Sequence, residues 1–294
     1  SYDEILLKGL SEDGGLFVPL NWPKFSNDQL LKMQDLDYAA LASKIISKFT
    51  SDVFNEDEVF KVCQKVYKSF NHKDVAPLKK INENNYLMEL FHGPTLAFKD
   101  YAMQFLSMDF ERVLKSKNQK ALILGATSGD TGSAALNAFA GHSEIDIFIL
   151  FPKGRVSYVQ EAQMTSVNAD GAHSIQIEGN FDDCQEIVKE IFLDQKFRQR
   201  VNLSAINSIN WARLLPQIVY YFFAALKLGA PDKKVVFSVP TGNFGNIFAG
   251  FCAHKMGLPI DKLICASNRN NILSRYFKSR KMERQSIEPS LSPS

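Results

Sequence analysis

One lysine in this sequence stands out because of its neighbours. Lys99 follows the apolar residues 96–98 and precedes Asp100, within the stretch HGPTLAFKD at positions 92–100. Two interpretations are open from these residues alone. Lys99 is either a solvated side chain paired with Asp100, as lysines are seldom buried without a partner, or a desolvated one. Desolvation lowers the pKa of a lysine and frees its amine to attack carbonyl carbon.

A loop of small and hydroxyl residues, GATSGDTG, occupies positions 125–132. It precedes a predicted helix, so its backbone N–H groups can face a carboxylate or a phosphate. An ordinary helix start capped by Ser128 or Thr131 explains the same residues. The glycine spacing fits neither the G-x-G-x-x-G dinucleotide fingerprint nor a P-loop.

A second glycine-containing loop, PTGNFGN, lies at positions 240–246. Glycine and asparagine tolerate left-handed backbone conformations, which allows the chain to fold around an anion as a phosphate cradle. A simple tight turn remains the alternative.

Short apolar runs that alternate with helical patterns predict the elements around these loops. The predicted strands are residues 86–91, 121–124, 145–151, 174–177, 235–239 and 263–266, and the predicted helices are residues 101–115, 132–141, 182–197, 211–228 and 246–256. Apolar strands separated by helices indicate an α/β fold with a doubly wound parallel sheet covered on both faces. Ligands bind at the carboxyl ends of such strands, where the three loops are placed.

The chain divides by composition into three predicted parts. Residues 1–71 read as a mostly helical N-terminal portion, residues 72–99 plus 214–294 as a larger domain, and residues 100–213 as a smaller movable one. The serine- and proline-rich end, SIEPSLSPS at 286–294, is typical of a linker or of a chain cut before a further segment.

Charge and composition exclude several classes of function. With 34 basic and 32 acidic residues the net charge is +2, which argues against a nucleic-acid partner. No apolar run approaches the roughly 20 residues that a membrane helix needs. Four separated cysteines and no H-E-x-x-H motif argue against a metal site or a disulfide framework. We therefore expect a cytoplasmic protein in a reducing compartment.

Together the three loops indicate pyridoxal 5′-phosphate (PLP) as a cofactor. Its aldehyde bonds a lysine, its phosphate needs a glycine-rich turn, and its amino-acid substrates bring a carboxylate. One such cofactor explains the three loops better than three unrelated local structures do.

These loops also resemble the threonine synthases of the longer bacterial and fungal type. The matching stretches are HGPTLAFKD at 92–100, ATSGDTG at 126–132, GNFDDC at 179–184, NSINWAR at 207–213, SVPTGNFGN at 238–246 and SEDGGLFVP at 11–19. The resemblance implies a fold-type-II PLP enzyme, similar to the tryptophan synthase β-subunit, with two doubly wound parallel-sheet domains. It implies conversion of O-phospho-L-homoserine and water to L-threonine and phosphate by a monomer or homodimer. It also implies that a C-terminal part, which supplies the partner of the PLP ring nitrogen, lies beyond residue 294.

The resemblance assigns roles to particular residues. Lys99 would form the Schiff base with PLP and move protons at Cα and Cβ of the substrate. The cofactor phosphate would be held by Gly242, Asn243, Phe244, Gly245 and Asn246. The substrate carboxylate would be held by Thr127, Ser128, Gly129, Asp130 and Thr131. The candidates for the leaving phosphate, which needs cations and amide donors, are Lys153, Arg155, Asn180, Asn207 and Arg213, each with a structural role as the alternative.

Asp130 raises a difficulty, because an ionised carboxylate beside a substrate carboxylate is unfavourable. Its side chain must either point away or meet a cation or a donor of the cofactor ring. Two other functions remain open: a PLP-dependent phospho-lyase that releases 2-oxobutyrate, and a non-catalytic relative that binds a phosphorylated amino acid. Lys99 argues against the second, since a binding protein has no need of it.

Overall fold

The computed structural model describes residues 1–294 apart from positions 10, 12, 14, 128, 206–209, 284, 286–287 and 289–294. The helices are α1 Tyr2–Lys8, α2 Asn27–Met33, α3 Tyr38–Thr50, α4 Glu56–Tyr67, α5 Asp100–Ser116, α6 Asp130–Phe139, α7 Tyr158–Thr165, α8 Phe181–Leu193, α9 Gln195–Val201, α10 Trp211–Lys227, α11 Gly245–Lys255 and α12 Ile272–Ser279. The strands are β1 Leu78–Lys80, β2 Tyr86–Met88, β3 Ala121–Ala126, β4 Ile145–Pro152, β5 Ala172–Ile177, β6 Leu203–Ala205, β7 Val235–Pro240 and β8 Ile260–Ala266.

A four-stranded parallel sheet with the order β5-β4-β3-β6 forms the middle of the chain. Its two faces are both covered, because alternate residues of a strand point to opposite sides. Ile123 and Ile147 face the main core, which also contains residues of α6, whereas Leu124 and Leu150 pack with Cys184 of α8 in a second cluster. This arrangement confirms the predicted doubly wound α/β architecture.

A second parallel sheet is formed by β7 and β8, with α11 and α12 in contact with β8. One face carries exposed apolar side chains: Val236 is 50% exposed and Ile264 is 43% exposed. The sequence predicted apolar strands here, and in the described residues this sheet buries only part of its apolar surface.

The predicted strand at 86–91 is corrected by the structure. Only Tyr86–Met88 is a strand, and it pairs antiparallel with β1 in a two-stranded hairpin rather than entering a parallel sheet. Tyr86 and Leu87 are exposed, so the apolar composition that suggested a buried strand lies on a surface hairpin. Eleven positions separate Met88 from Lys99, and the lysine therefore follows an extended loop and not a strand end.

The N-terminal helices pack on α5 and α10, which contact each other at the centre of the main core. Rings of Tyr38, Tyr67, Tyr101 and Tyr220 meet there, with Tyr38 and Tyr67 centroids 4.7 Å apart in an edge-on arrangement. Edge-to-face aromatic pairs add about 0.5–1.5 kcal/mol beyond the burial of their area. This packing holds α5, and with it the residue that precedes α5, in one place.

Most other predicted helices differ from the observed ones by one or two residues at each end. The exception is the helix predicted at 182–197, which the structure divides into α8 and α9. Asp194 separates them, because its carboxylate accepts a hydrogen bond from the Phe197 N–H at 3.0 Å and so starts a new helix. Within the described part of the chain, no helix has the length and apolar character needed to cross a membrane.

Candidate active site

Lys99 is buried, although it stands immediately before α5, at the N-cap position. The residue is 8% exposed, and its Nζ donates to Asp130 Oδ1 at 2.7 Å. The same Nζ lies 4.7 Å from the centre of the Phe98 ring. The solvated interpretation is therefore wrong, and the carboxylate that meets Lys99 belongs to α6, across the cleft between two loops.

Asp100 does not pair with Lys99 but folds the loop that precedes it. Its carboxylate accepts hydrogen bonds from the Thr95 hydroxyl at 2.6 Å, the Thr95 N–H at 2.9 Å and the Ala97 N–H at 3.4 Å. A Cβ added at Gly93 would lie 2.5 Å from Asp100 Oδ2, so this glycine permits a close approach that no other residue allows. Gly93 and Asp100 are thus the two residues that determine the shape of the lysine loop.

Burial and nearby charges act on the Lys99 amine in opposite directions. Burial is the largest influence and lowers the pKa of Lys99, Asp130 raises it, and the positive charge of Arg213 lowers it further. Arg213 itself is 6% exposed, and burial lowers its pKa to about 10 while Asp130 opposes that change. Lys99, Asp130 and Arg213 therefore influence one another, and the negative charge of Asp130 opposes the effect of burial on both cations.

The difficulty raised by Asp130 is answered by this geometry: its side chain meets a cation. Asp130 is the first residue of α6, where a negative charge is favoured by the helix dipole. The N–H groups at the start of a helix lack carbonyl partners four residues back, so those of Asp130 and Thr131 are suited to an anion, whereas the Gly132 N–H already has a partner in Thr127.

Thr127 acts inside its own loop. Its hydroxyl oxygen accepts hydrogen bonds from the Gly129 N–H at 3.1 Å and the Gly132 N–H at 3.0 Å, and the hydroxyl donates to the Gly129 carbonyl at 2.9 Å. Because Thr127 is 3% exposed and fully engaged, it shapes the turn rather than presenting a free hydroxyl. Thr131 lies half-buried in the first turn of α6.

The loop at 240–246 ends in the N-terminus of α11, as a phosphate cradle requires. The Phe244 N–H donates to the Thr241 hydroxyl oxygen at 3.1 Å, and Phe244 has a φ of +65°. The Asn246 side chain donates to the Pro240 carbonyl at 3.0 Å, which joins the two ends of the loop. Gly242 and Asn243 are exposed, and a Cβ at Gly245 would meet no atom within 4 Å.

The remaining sequence candidates lie elsewhere. Lys153 is exposed, and its amine pairs with Glu178, which raises the pKa of the lysine. Arg155 is exposed in the turn after β4. Asn180 caps α8, since its Oδ1 accepts from the Asp182 N–H at 2.7 Å and the Asp183 N–H at 3.2 Å. Ser128 and Asn207 lie outside the described residues.

The structure also gives roles to residues that the sequence interpretation passed over. Thr95 and Asp100 hold the lysine loop, and Gln163 of α7 donates to the Thr95 carbonyl at 3.0 Å. Thr241 lies inside the loop that the sequence analysis singled out, and its hydroxyl oxygen accepts from the N–H of Phe244, the residue before α11. Nothing in the local sequence indicates the contact of Gln163, which comes from a distant helix.

Comparison with known proteins identifies the family. Residues 74–294 match the family described as pyridoxal-phosphate dependent enzymes, and residues 1–67 match the one described as threonine synthase N terminus. The chain belongs to the pyridoxal-phosphate-dependent enzymes. Within them it belongs to the threonine synthase family.

Individual relatives agree with this membership. The threonine synthase of Pseudomonas aeruginosa is 49% identical over 294 residues, which are 100% of this chain and 63% of the relative. A PLP-bound threonine synthase from Brucella melitensis superposes with a TM-score of 0.97 at 49% identity, over 100% of this chain and 63% of that one. The Escherichia coli threonine synthase superposes with a TM-score of 0.87 at 34% identity, over 99% of this chain and 67% of that one. The chain thus spans about three fifths of the length of the relatives it matches.

The described residues fit PLP, the cofactor of this family. A buried amine with a lowered pKa is present at Lys99, which suits reaction with an aldehyde. The open space above Gly245, at the start of α11, suits a phosphate. In this structure the Gly245 and Ile247 N–H groups donate to the Asn243 carbonyl at 2.8 Å and to Asn246 Oδ1 at 2.9 Å, so a phosphate would replace these partners.

Proposed function

We propose that the whole protein is a threonine synthase that converts O-phospho-L-homoserine and water to L-threonine and phosphate. The observation that carries the proposal is the buried Lys99 amine, 2.7 Å from Asp130, in a chain 49% identical to the threonine synthase of Pseudomonas aeruginosa. A cytoplasmic enzyme, either a monomer or a homodimer, agrees with the balanced charge and the four free cysteines.

The loop at 242–246 is proposed to hold the cofactor phosphate, through backbone N–H groups at the start of α11. Lys99 is proposed to bond the cofactor aldehyde. When bound, PLP supplies an electron sink for the bonds that break at Cα and Cβ of the substrate. Tyr221 supports this loop, because its hydroxyl donates to the Asn246 carbonyl at 2.8 Å.

The protein's own residues then bind the substrate and move its protons. The first turn of α6, with Gly129, Asp130 and Thr131, is proposed to hold the substrate carboxylate through backbone N–H groups, while Thr127 fixes the turn. Arg213 is the proposed partner of the leaving phosphate, since it is a buried cation whose charge acts on Lys99. A charged donor fixed in place stabilises negative charge that develops in the transition state.

Lys99 is the proposed acid and base at Cα and Cβ. Proton transfer is most efficient when the pKa of the group lies near the working pH, and burial moves the pKa of Lys99 in that direction. Asp130 accepts a hydrogen bond from the amine and so holds it in position.

Three further assignments are proposals of the same kind. Lys153, Arg155 and Asn180 would contact the substrate phosphate only after movement of their surroundings, because the Lys153 amine and the Asn180 side chain already have partners. We also propose a smaller movable domain at 100–213 that closes on a larger one at 72–99 plus 214–294. Each part contains one parallel sheet, but α5, at the start of the smaller part, packs on α10 of the larger one, so the movement would involve the elements after α5. Residues 1–71 form the helical portion that supports them.

The test combines a spectrum with a product assay. We expect protein incubated with PLP to gain a visible absorbance that borohydride abolishes, and borohydride reduction to fix the cofactor on the peptide that contains Lys99. Lys99→Ala should abolish both that modification and threonine formation, whereas Lys234→Ala, at an exposed lysine, should change neither. Release of 2-oxobutyrate without threonine would favour the phospho-lyase. Substantial threonine formation by Lys99→Ala would refute the assignment of the lysine.

A further inference from the structure

A groove of about 730 Å³ lies between the start of α3, the carboxyl half of α4 and the segment that follows α4. Its lining includes Lys61, Lys65, Lys68 and Lys73 together with Tyr38 and Tyr67. None of its lining residues belongs to the loops that form the candidate active site. Pockets that hold small molecules measure roughly 300–1,000 Å³, so the groove is large enough for an organic molecule.

The rim of the groove is basic. Lys61, Lys65 and Lys68 are spaced by four and three residues, which places them on one side of α4. Across the part of the chain that the structure describes, none of the four lysines takes part in an ion pair. Asp37 is the one acidic residue in the lining, and its Oδ1 already accepts from the Ala40 N–H at 2.7 Å. Four positive charges therefore face one negative charge.

The floor of the groove is aromatic. Tyr38 is 2% exposed and Tyr67 is 5% exposed, and the hydroxyls of both are buried without a hydrogen-bond partner among the described residues. Such unpaired groups cost about 1–3 kcal/mol each when they are fully desolvated. The two rings are packed in the core and present almost no surface to the groove, but their hydroxyls hold hydrogen-bonding capacity that the described residues do not use.

The third side of the groove is held firmly. The Val75 carbonyl accepts a hydrogen bond from the buried Tyr101 hydroxyl, and the Val75 N–H donates to the His72 carbonyl at 2.9 Å. The Asn71 N–H donates to the His92 carbonyl at 2.8 Å. Lys73 therefore extends from a segment that is fixed at both ends, and little ordering of the backbone is needed when a ligand binds.

We propose that this groove is a second ligand site, which takes a small organic phosphate. The phosphate would lie among the lysines of the rim, and the organic part would fill the rest of the groove beside Ala39 and Gln64, with the buried tyrosines beneath it. The groove is larger than inorganic phosphate needs, since a single phosphate fills only a small part of the space.

The proposal is tested by calorimetric titration of the PLP-saturated protein, so that the loop at 242–246 is already filled. The probes are adenosine 5′-monophosphate, glucose 6-phosphate, 3-phosphoglycerate and inorganic phosphate. At least one ester should bind saturably and about tenfold more tightly than inorganic phosphate, which corresponds to one contact of about 1.4 kcal/mol. Binding should weaken as salt rises, because the Debye length falls below about 10 Å above 0.1 M salt.

The variants separate this site from the cofactor site. Lys61→Gln/Lys65→Gln changes two exposed helical positions to a residue of similar helix propensity, so folding should be retained and is checked by circular dichroism. It should weaken binding of the ester about tenfold or more and leave borohydride labelling of Lys99 unchanged. Lys233→Gln/Lys234→Gln, which removes two exposed lysines outside the groove, should bind as the unaltered chain does.

Three outcomes overturn the proposal. These are the absence of saturable binding by every ester, an affinity that the groove variant leaves unchanged, and esters that bind no more tightly than inorganic phosphate. Each is independent of threonine formation, so failure of this inference and failure of the proposed catalytic function are distinguishable.

Discussion

Replacing Asp130 by asparagine tests whether one carboxylate controls the state of Lys99. Asparagine keeps the size of the side chain and an oxygen that can accept from Lys99 Nζ, which lies 2.7 Å from Asp130 Oδ1. Only the negative charge is removed. Burial and Arg213 still lower the pKa of Lys99 in this variant, whereas the charge that raises it is gone.

The magnitude follows from the hydrogen bond that remains. A hydrogen bond to a charged group contributes about 1.5–3 kcal/mol to stability, and replacing the carboxylate by an amide keeps the charged Lys99 donor but removes the charged acceptor, so we expect a cost of about 1–1.5 kcal/mol. The lysine side chain is 9% exposed and the aspartate side chain 25%, which favours the lower end of that range. We expect a loss of about 1 kcal/mol in the free energy of unfolding at pH 7.

The sign of the pH dependence is determined by the direction of the shift. Because the folded pKa of Lys99 is below its usual value, the unfolded chain binds more protons in the interval between the two, and stability rises with pH there. Asp130→Asn lowers the folded pKa further, so this interval extends to lower pH and the variant should recover stability as the pH rises.

Urea unfolding at several pH values, without cofactor, measures the change in stability. The rate at which PLP bonds Lys99, followed by borohydride reduction, measures how much of the amine is uncharged. The variant should react with PLP at lower pH than the unaltered chain. Asp232→Asn, at an exposed position, is the control. If both variants have the same stability and the same pH profile as the unaltered chain, the charge of Asp130 does not set the state of Lys99.

Two further substitutions test the loops. Gly93→Ala places a Cβ 2.5 Å from Asp100 Oδ2 and should destabilise the protein by about 1–3 kcal/mol in urea unfolding, whereas Gly245→Ala meets no atom within 4 Å and should lower PLP affinity without loss of stability. Equal stability of the two variants would show that the lysine loop is not tightly packed. Thr127→Val removes the acceptor of the Gly129 and Gly132 N–H groups and should cost about 1–3 kcal/mol by the same assay, while an unchanged midpoint would mean that other groups shape that turn.

The strands of the central sheet were predictable because their residues are apolar over a continuous run, and a parallel sheet buried on both faces requires that pattern. The strand predicted at 86–91 was wrongly assigned to the parallel sheet for the same reason, since composition alone does not tell a buried strand from an exposed one. The helix cap at Asn180 could have been predicted from the local sequence, because an aspartate three positions later completes a capping box.

The environment of Lys99 could be predicted only in part. The sequence suggested desolvation by residues 96–98, and the Phe98 ring does lie 4.7 Å from Lys99 Nζ, but Leu96 is 61% exposed. The partner was assigned to the wrong aspartate in the solvated interpretation, because adjacency in sequence does not show which way a carboxylate points. The pairing with Asp130 depends on two loops that meet only in the folded chain.

Helix α5 joins several of these features. Lys99 precedes its first turn, Tyr101 bonds the wall of the lysine-lined groove, and near its other end Asp109 and Asp3 both bond Arg112, at 2.7 Å and 2.6 Å. A genetic screen for loss of the enzyme would therefore recover substitutions along the whole length of this helix. Many of these substitutions would be far from the cofactor. Complementation would group them with substitutions at Lys99, although they would act by lowering the amount of folded protein.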